Sequence, residues 1–193
     1  MKSISVFCGS SEGNDKVVVE MSYQLGKILA QENIDLVYGG SRLGLMGQVA
    51  NGALDHQGKV IGIIPDFLKS KEICHTGISE LITVENMHQR KMQMHELSDG
   101  IIALPGGFGT LEELFEMITW GQLGLHQKPI GILNANGFYN DLLNFLDSMV
   151  DKGLLKPENR NMLLVDDTCI GLLTQMESYQ PILTPKWIKK EQT

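Results

Sequence analysis

Short apolar runs alternate along the chain with longer stretches of helical period. Ile4-Ser5-Val6-Phe7-Cys8, Asp35-Leu36-Val37-Tyr38, Lys59 to Ile64 (stopped by Pro65) and Leu81 to Val84 read as four strands, and Ile101 to Leu104, Ile130 to Leu133 and Met162 to Val165 as three more. Apolar spacings of three and four predict helices over Val17–Ala30, from about Gly47 to His56, over Met87–Leu97, Thr110–Leu123 and Phe138–Val150, and over Gly171–Met176. Several strands are almost continuously apolar, the mark of a parallel sheet covered by helices on both faces. Right-handed crossovers then make a Rossmann-like, doubly wound α/β fold of about seven strands. No repeat or linker interrupts the pattern, so residues 1–180 are expected to form one nucleotide-binding domain. Residues 181–193, with Lys186, Lys189 and Lys190, are expected to form a polar, loose tail.

Composition narrows the function. At 193 residues, 42% hydrophobic and 20% charged, the chain is an ordinary globule for which one domain suffices. A formal charge of −7 argues against a nucleic-acid or anionic-membrane surface. An anionic ligand has to be captured by local groups. Cys8, Cys74 and Cys169 are scattered, without zinc or disulfide spacing, which suits a reducing, cytoplasmic setting.

The glycines cluster where such a sheet binds ligands, at the carboxyl ends of strands. Three loops qualify: Cys8-Gly9-Ser10-Ser11, the run Gly39-Gly40-Ser41-Arg42-Leu43-Gly44-Leu45-Met46-Gly47, and Pro105-Gly106-Gly107-Phe108-Gly109-Thr110. Glycine lets backbone N–H groups approach an anion, and a following helix N-terminus adds partial positive charge. The first two loops offer Ser10, Gly39, Gly40, Gly44, Met46 and Gly47 as substrate contacts. Neither the dinucleotide nor the Walker spacing is present.

Two side chains carry candidate chemistry. Thr110-Leu111-Glu112-Glu113 fits a capping box with Thr110 as N-cap and Glu113 at N3, which gives Glu113 a structural reading beside a catalytic one. Arg90 falls on an apolar stripe with Met87, Met94 and Leu97 near a helix start, and a buried guanidinium needs a partner or a ligand. If the strands before Arg90 and Glu113 are neighbours, the two converge on one cleft; the alternative is a loop-ordering ion pair. His88 and His95 share a helix face without a third ligand, so no metal is expected. Met87, Met92 and Met94 read as core filler, and Asp99 as a turn residue.

The second and third glycine loops, together with Met87-His88-Gln89-Arg90-Lys91 and the continuation Leu111-Glu112-Glu113, closely resemble the LOG (Lonely guy) family, and the likeness runs from the first strand to about Gly153, including Trp120-Gly121-Gln122-Leu123. That family comprises cytokinin riboside 5′-monophosphate phosphoribohydrolases, long labelled lysine decarboxylases. The resemblance implies that Arg90 and Glu113 are the catalytic pair. It implies that Lys91, the Gly107, Phe108, Gly109, Thr110, Leu111 and Glu112 segment, Thr119 and Glu72 hold a nucleoside 5′-monophosphate. It further implies a homodimer whose site borrows residues from the partner chain, with no metal and no cofactor. Two rivals stand beside it: a non-catalytic nucleotide or molybdenum-cofactor carrier on the same fold, and a pyridoxal-phosphate decarboxylase, which needs a Schiff-base lysine such as Lys91.

Overall fold

The computed structural model describes residues 1–69 and 74–181. Glu72 and the tail beyond Pro181 therefore lie outside the described residues. The strands are β1 (Ser3–Phe7), β2 (Asp35–Tyr38), β3 (Val60–Pro65), β4 (Glu80–Val84), β5 (Gly100–Ala103), β6 (Ile130–Leu133) and β7 (Leu163–Asp166). They form one parallel sheet in the order β4-β3-β2-β1-β5-β6-β7. The expected fold class is the one observed.

Alternation along the strands builds two cores. Ile4, Val6, Leu36, Tyr38 and Ile102 point to one face, where α1 (Lys16–Gln31), α2 (Gly44–Leu54) and α7 (Cys169–Ser178) cover them. Phe7, Val37, Ile61, Ile63, Ile101 and Ile132 point to the other, under α3 (Met87–Glu96), α4 (Phe108–Gln122) and α5 (Asn140–Asp151). Both faces of every central strand are thus dry, which is why those strands lack a polar side. A single turn, α6 (Pro157–Arg160), starts with proline at its first position. Among the described residues no helix is long and apolar enough to cross a membrane.

Several boundaries depart from the sequence reading. Helix α2 begins at Gly44 rather than near Gly47, although glycine is a poor helix former. The reason is tertiary: Gly44 has φ +62°, and a Cβ there would lie 2.3 Å from the Ser10 carbonyl carbon. The second loop is packed onto the first, and the helix starts at the point of contact. The helix expected from Phe138 is α5, which starts at Asn140 after a 3-10 turn over Ala135–Gly137.

The largest correction concerns α4. Its N-cap is Gly107, with no side-chain cap bond, and no acidic residue occupies its first turn. Thr110 is therefore the third helical residue and Glu113 the sixth, so the capping box does not form. Thr110 is 4% exposed and faces inward, and a Cβ on Gly106 would meet its Oγ1 at 2.1 Å. That packing draws the helix start back by three residues.

Candidate active site

Strands β4 and β5 are not neighbours; β3, β2 and β1 lie between them. The condition set for Arg90 and Glu113 to converge thus fails, yet both line one cavity. After the edge strand β4, helix α3 turns back over β3 and brings its first turn to the middle of the sheet. Its start is fixed by a reciprocal cap: Asn86 Oδ1 accepts from the Gln89 amide at 2.9 Å, and Gln89 Oε1 accepts from the Glu85 amide at 2.9 Å. Helix α4 leaves β5, which pairs directly with β1. Both helices therefore open over the carboxyl ends of β1, β2 and β3.

A cavity of about 360 Å³ lies there. Arg90, Glu113, Ser10, Gly39, Met46, Gly107, Phe108, Gly109 and Thr110, all expected at the site, line it. Cys8 and Gly9, from the first glycine loop, line it as well, as do Val6, Phe7, Leu68, Met87 and Met94, which were not expected to. Met87 and Met94 are thus not merely core filler. The available signal was their helical register with Arg90, which puts them on its face of α3. Gly40, Gly44, Gly47, Lys91, Leu111, Glu112 and Thr119 do not line the cavity.

Arg90 is 6% exposed and held by main-chain oxygens at the ends of two strands. Its Nε donates to the Ile63 carbonyl at 3.1 Å and its Nη2 to the Gly39 carbonyl at 2.8 Å, while Nη1 lies 3.8 Å from Met87 Sδ. Anchoring to two carbonyls fixes the plane of a cation that would otherwise be costly to bury.

The amides of Gly107, Phe108, Gly109 and Thr110 precede the first intrahelical bond of α4, from the Leu111 amide to the Gly107 carbonyl. With no side chain capping them, they present donors and the positive end of the helix dipole at the cavity. A Cβ on Gly107 or Gly109 would have no atom within 4 Å, so the space above them is open. Phe108 projects outward between them, 94% exposed.

Cys8 lies buried in the floor. Burial, reinforced by the Glu113 carboxylate and opposed by the Arg90 cation, pushes its thiol far up, so it is a neutral wall rather than a nucleophile. Lys91, next to Arg90 in sequence, turns toward α4 and bridges Glu112 at 2.5 Å and Glu116 at 2.9 Å. Thr119 is exposed, and its hydroxyl donates to the Phe115 carbonyl at 2.7 Å. It lies nine residues beyond Thr110, roughly 13 Å down the helix. Among the described residues no three His, Cys, Asp or Glu side chains converge as metal ligands; His95 instead packs edge-on against Trp120.

A second hollow of about 480 Å³ backs onto the same Gly9–Ser10 and Gly107 ridge, with Val18, Leu45, Pro105 and Phe138 among its walls.

A family model described as "Possible lysine decarboxylase" matches residues 46–176. Cytokinin riboside 5′-monophosphate phosphoribohydrolase LOG7 of Arabidopsis thaliana is 49% identical over 181 residues, covering 93% of this chain and 83% of that protein. The chain belongs to this LOG family. A second relative, the probable cytokinin riboside 5′-monophosphate phosphoribohydrolase LOGL2 of Oryza sativa subsp. japonica, is 46% identical over 180 residues, covering 93% of this chain and 74% of that one. The LOG fold extends to proteins of other function. The molybdenum cofactor binding protein of Rippkaea orientalis superposes with a TM-score of 0.68 at 24% identity, over 91% of this chain and 95% of its own. That likeness shows the fold alone.

Proposed function

We propose that this LOG-family chain hydrolyses the N-glycosidic bond of adenosine-type, N6-substituted nucleoside 5′-monophosphates, releasing the base and ribose 5-phosphate. One observation carries the reading: a buried, carbonyl-anchored Arg90 and the Glu113 carboxylate share a cavity with the four uncapped amides of α4. The names of the relatives at 46–49% identity agree with it.

In this reading the amides of Gly107 to Thr110 hold the 5′-phosphate. Glu113, one turn further along α4, faces the ribose. Its carboxylate stabilises the positive charge that develops at the anomeric carbon and orients the attacking water. The water oxygen bonds to that carbon as the C–N bond breaks. The bonding pair leaves with the base nitrogen, which gains the proton the water loses. Arg90 fixes Glu113 and the substrate. Gripping a phosphate remote from the reacting bond lets binding energy assist the chemical step.

The decarboxylase description does not fit this cavity. Among the described residues no lysine lines it. Burial alone would lower the Lys91 ammonium, but the hydrogen bonds it donates to the Glu112 and Glu116 carboxylates outweigh it and leave the group raised, the opposite of what a Schiff-base lysine needs.

Thr119 and Lys91 do not line the cavity of this chain, and a homodimer with shared sites, which the family resemblance implies, would bring such residues from a second copy. Three free thiols agree with a cytoplasmic location.

Chromatographic assay of base release from AMP and from N6-isopentenyl-AMP tests the function, with the dephosphorylated nucleosides as controls. Release from a monophosphate and not from the nucleosides is expected. Binding of AMP without release from any of them would replace the hydrolase with a carrier.

A further inference from the structure

Gly39 follows the last residue of β2 and has no positive φ, so its backbone conformation is open to any residue. What it lacks is a side chain. A Cβ built there would lie 2.1 Å from Arg90 Nη2, 3.2 Å from Arg90 Cζ and 2.8 Å from Met46 Sδ. The first of these is far inside contact distance, and the guanidinium cannot slide aside while it keeps its bonds to the Gly39 and Ile63 carbonyls.

We propose that Gly39 is a positioning residue for the reaction: by carrying no side chain it seats the Arg90 guanidinium against the carboxyl ends of β2 and β3, beside Glu113. The strand end thus supplies both the acceptor and the space. An added methyl group would displace the tip of a flexible arginine rather than main chain. The fold survives and the geometry of the cation does not. This assignment rests on the proposed hydrolysis for its kinetic consequence, but not for its structural one.

The test is a cycle of Gly39→Ala and Arg90→Ala on the full chain. Gly39→Ala is expected to lower kcat on the order of 10²-fold with a much smaller change in KM, close to the effect of Arg90→Ala. The double variant is expected to match Arg90→Ala alone, because the arginine that collides with the new methyl group is gone. Multiplying losses, or Gly39→Ala turnover within a few-fold of the parent, would overturn the proposal.

If Gly39→Ala fails to fold, the double variant still decides the matter: relieved of the collision, it should fold and unfold at the temperature of Arg90→Ala. A double variant that also fails to fold would overturn the proposal. Met46→Ala combined with Gly39→Ala removes only the thioether contact, so its turnover is expected to stay near that of Gly39→Ala and well below that of Met46→Ala alone. Full restoration would assign the space to Met46 instead.

A structural readout keeps the two ideas apart. Phenylglyoxal modification of Arg90, followed by mass spectrometry, should be slow in the parent and faster in Gly39→Ala. Should the parent release no base at all, the hydrolase reading fails while this readout still stands; equal modification rates would overturn the seat itself.

Discussion

Replacing Glu113 with glutamine removes one charge and almost no volume, and the structure separates its two expected consequences. With Gly107 as N-cap, Glu113 is the sixth residue of α4, about 7.5 Å from the helix start at 1.5 Å per residue. It cannot reach the cap amide, and the loss of about 1 kcal/mol that a capping residue would bring does not apply. A half-buried carboxylate-to-amide change away from caps should stay within about 0.5 kcal/mol. For a chain of this length that is a Tm shift below about 2 °C. Catalysis should suffer far more. If the carboxylate stabilises a developing ribosyl cation, its removal should cost on the order of 10² to 10³ in kcat, or about 2.7–4 kcal/mol. KM should change little, because in the proposed reading the phosphate is held by main-chain amides that the substitution leaves alone. Calorimetry, followed by base-release kinetics on the same preparation, measures both. A folded Glu113→Gln protein with kcat within tenfold of the parent would refute the catalytic role, and a Tm drop of several degrees would restore the capping role.

The opposite pattern is expected at Gly109, which sits inside α4 with open space beyond its Cα. Gly109→Ala should raise stability by up to about 1 kcal/mol while weakening AMP binding measured by calorimetric titration, and unchanged affinity would remove the phosphate from that spot. Thr168 caps α7 by accepting from the Gly171 amide at 3.1 Å, so Thr168→Ala should cost about 1 kcal/mol, or 2–4 °C in Tm, without touching turnover. His126 donates from Nε2 to the Met117 carbonyl and accepts at Nδ1 from the Lys128 amide, an arrangement that needs the neutral ring; burial chiefly, with the Lys128 charge, lowers it below its ordinary 6.5. The unfolded chain then binds the extra proton first, so stability is present above about pH 6.5 and is lost as pH falls toward the folded value. His126→Gln should flatten the Tm profile between about pH 7 and 5, and an identical slope in the variant would assign the acid sensitivity elsewhere. Lys91 carries the reverse sign: its raised ammonium stabilises the fold below its ordinary value and that contribution is lost as pH rises through the folded one, so Lys91→Met should lose the alkaline part of the Tm profile.

The sheet was legible because its strands are written as apolar runs with no wet face, a consequence of burial on both sides that sequence records directly. Strand order was not, because the jump from the edge strand β4 across three strands to β5 leaves no local trace. The convergence of Arg90 and Glu113 was therefore expected for a reason that proved false. What survived was the anomaly itself, a cation on an apolar helix stripe, which demanded a partner wherever the strands lay. The capping-box reading failed in a related way. Thr110 and Glu113 have the right spacing, but the close fit of Thr110 over Gly106 decides where α4 starts, and no window of a few residues contains that contact. The methionines misled because apolar spacing is the same for a core and for a cavity wall.

These misreadings share a physical cause that bears on how the site works. A helix N-terminus with a side-chain cap is satisfied by its own sequence and has less to offer a ligand. Helix α3 is capped twice over, by Asn86 and Gln89, and it serves as a rigid mount for Arg90. Helix α4 has no side-chain cap, and its amides open on the cavity. In the proposed reading, moving Thr110 from the cap to an inward-facing position is what leaves α4 free to take an anion, because a threonine at the cap would occupy the donors a phosphate requires. The same exchange is seen at Gly39, where a missing side chain costs the strand end some packing and gives Arg90 its place. Local rules were broken at the two points where, in the proposed reading, a ligand or the residue that acts on it has to fit.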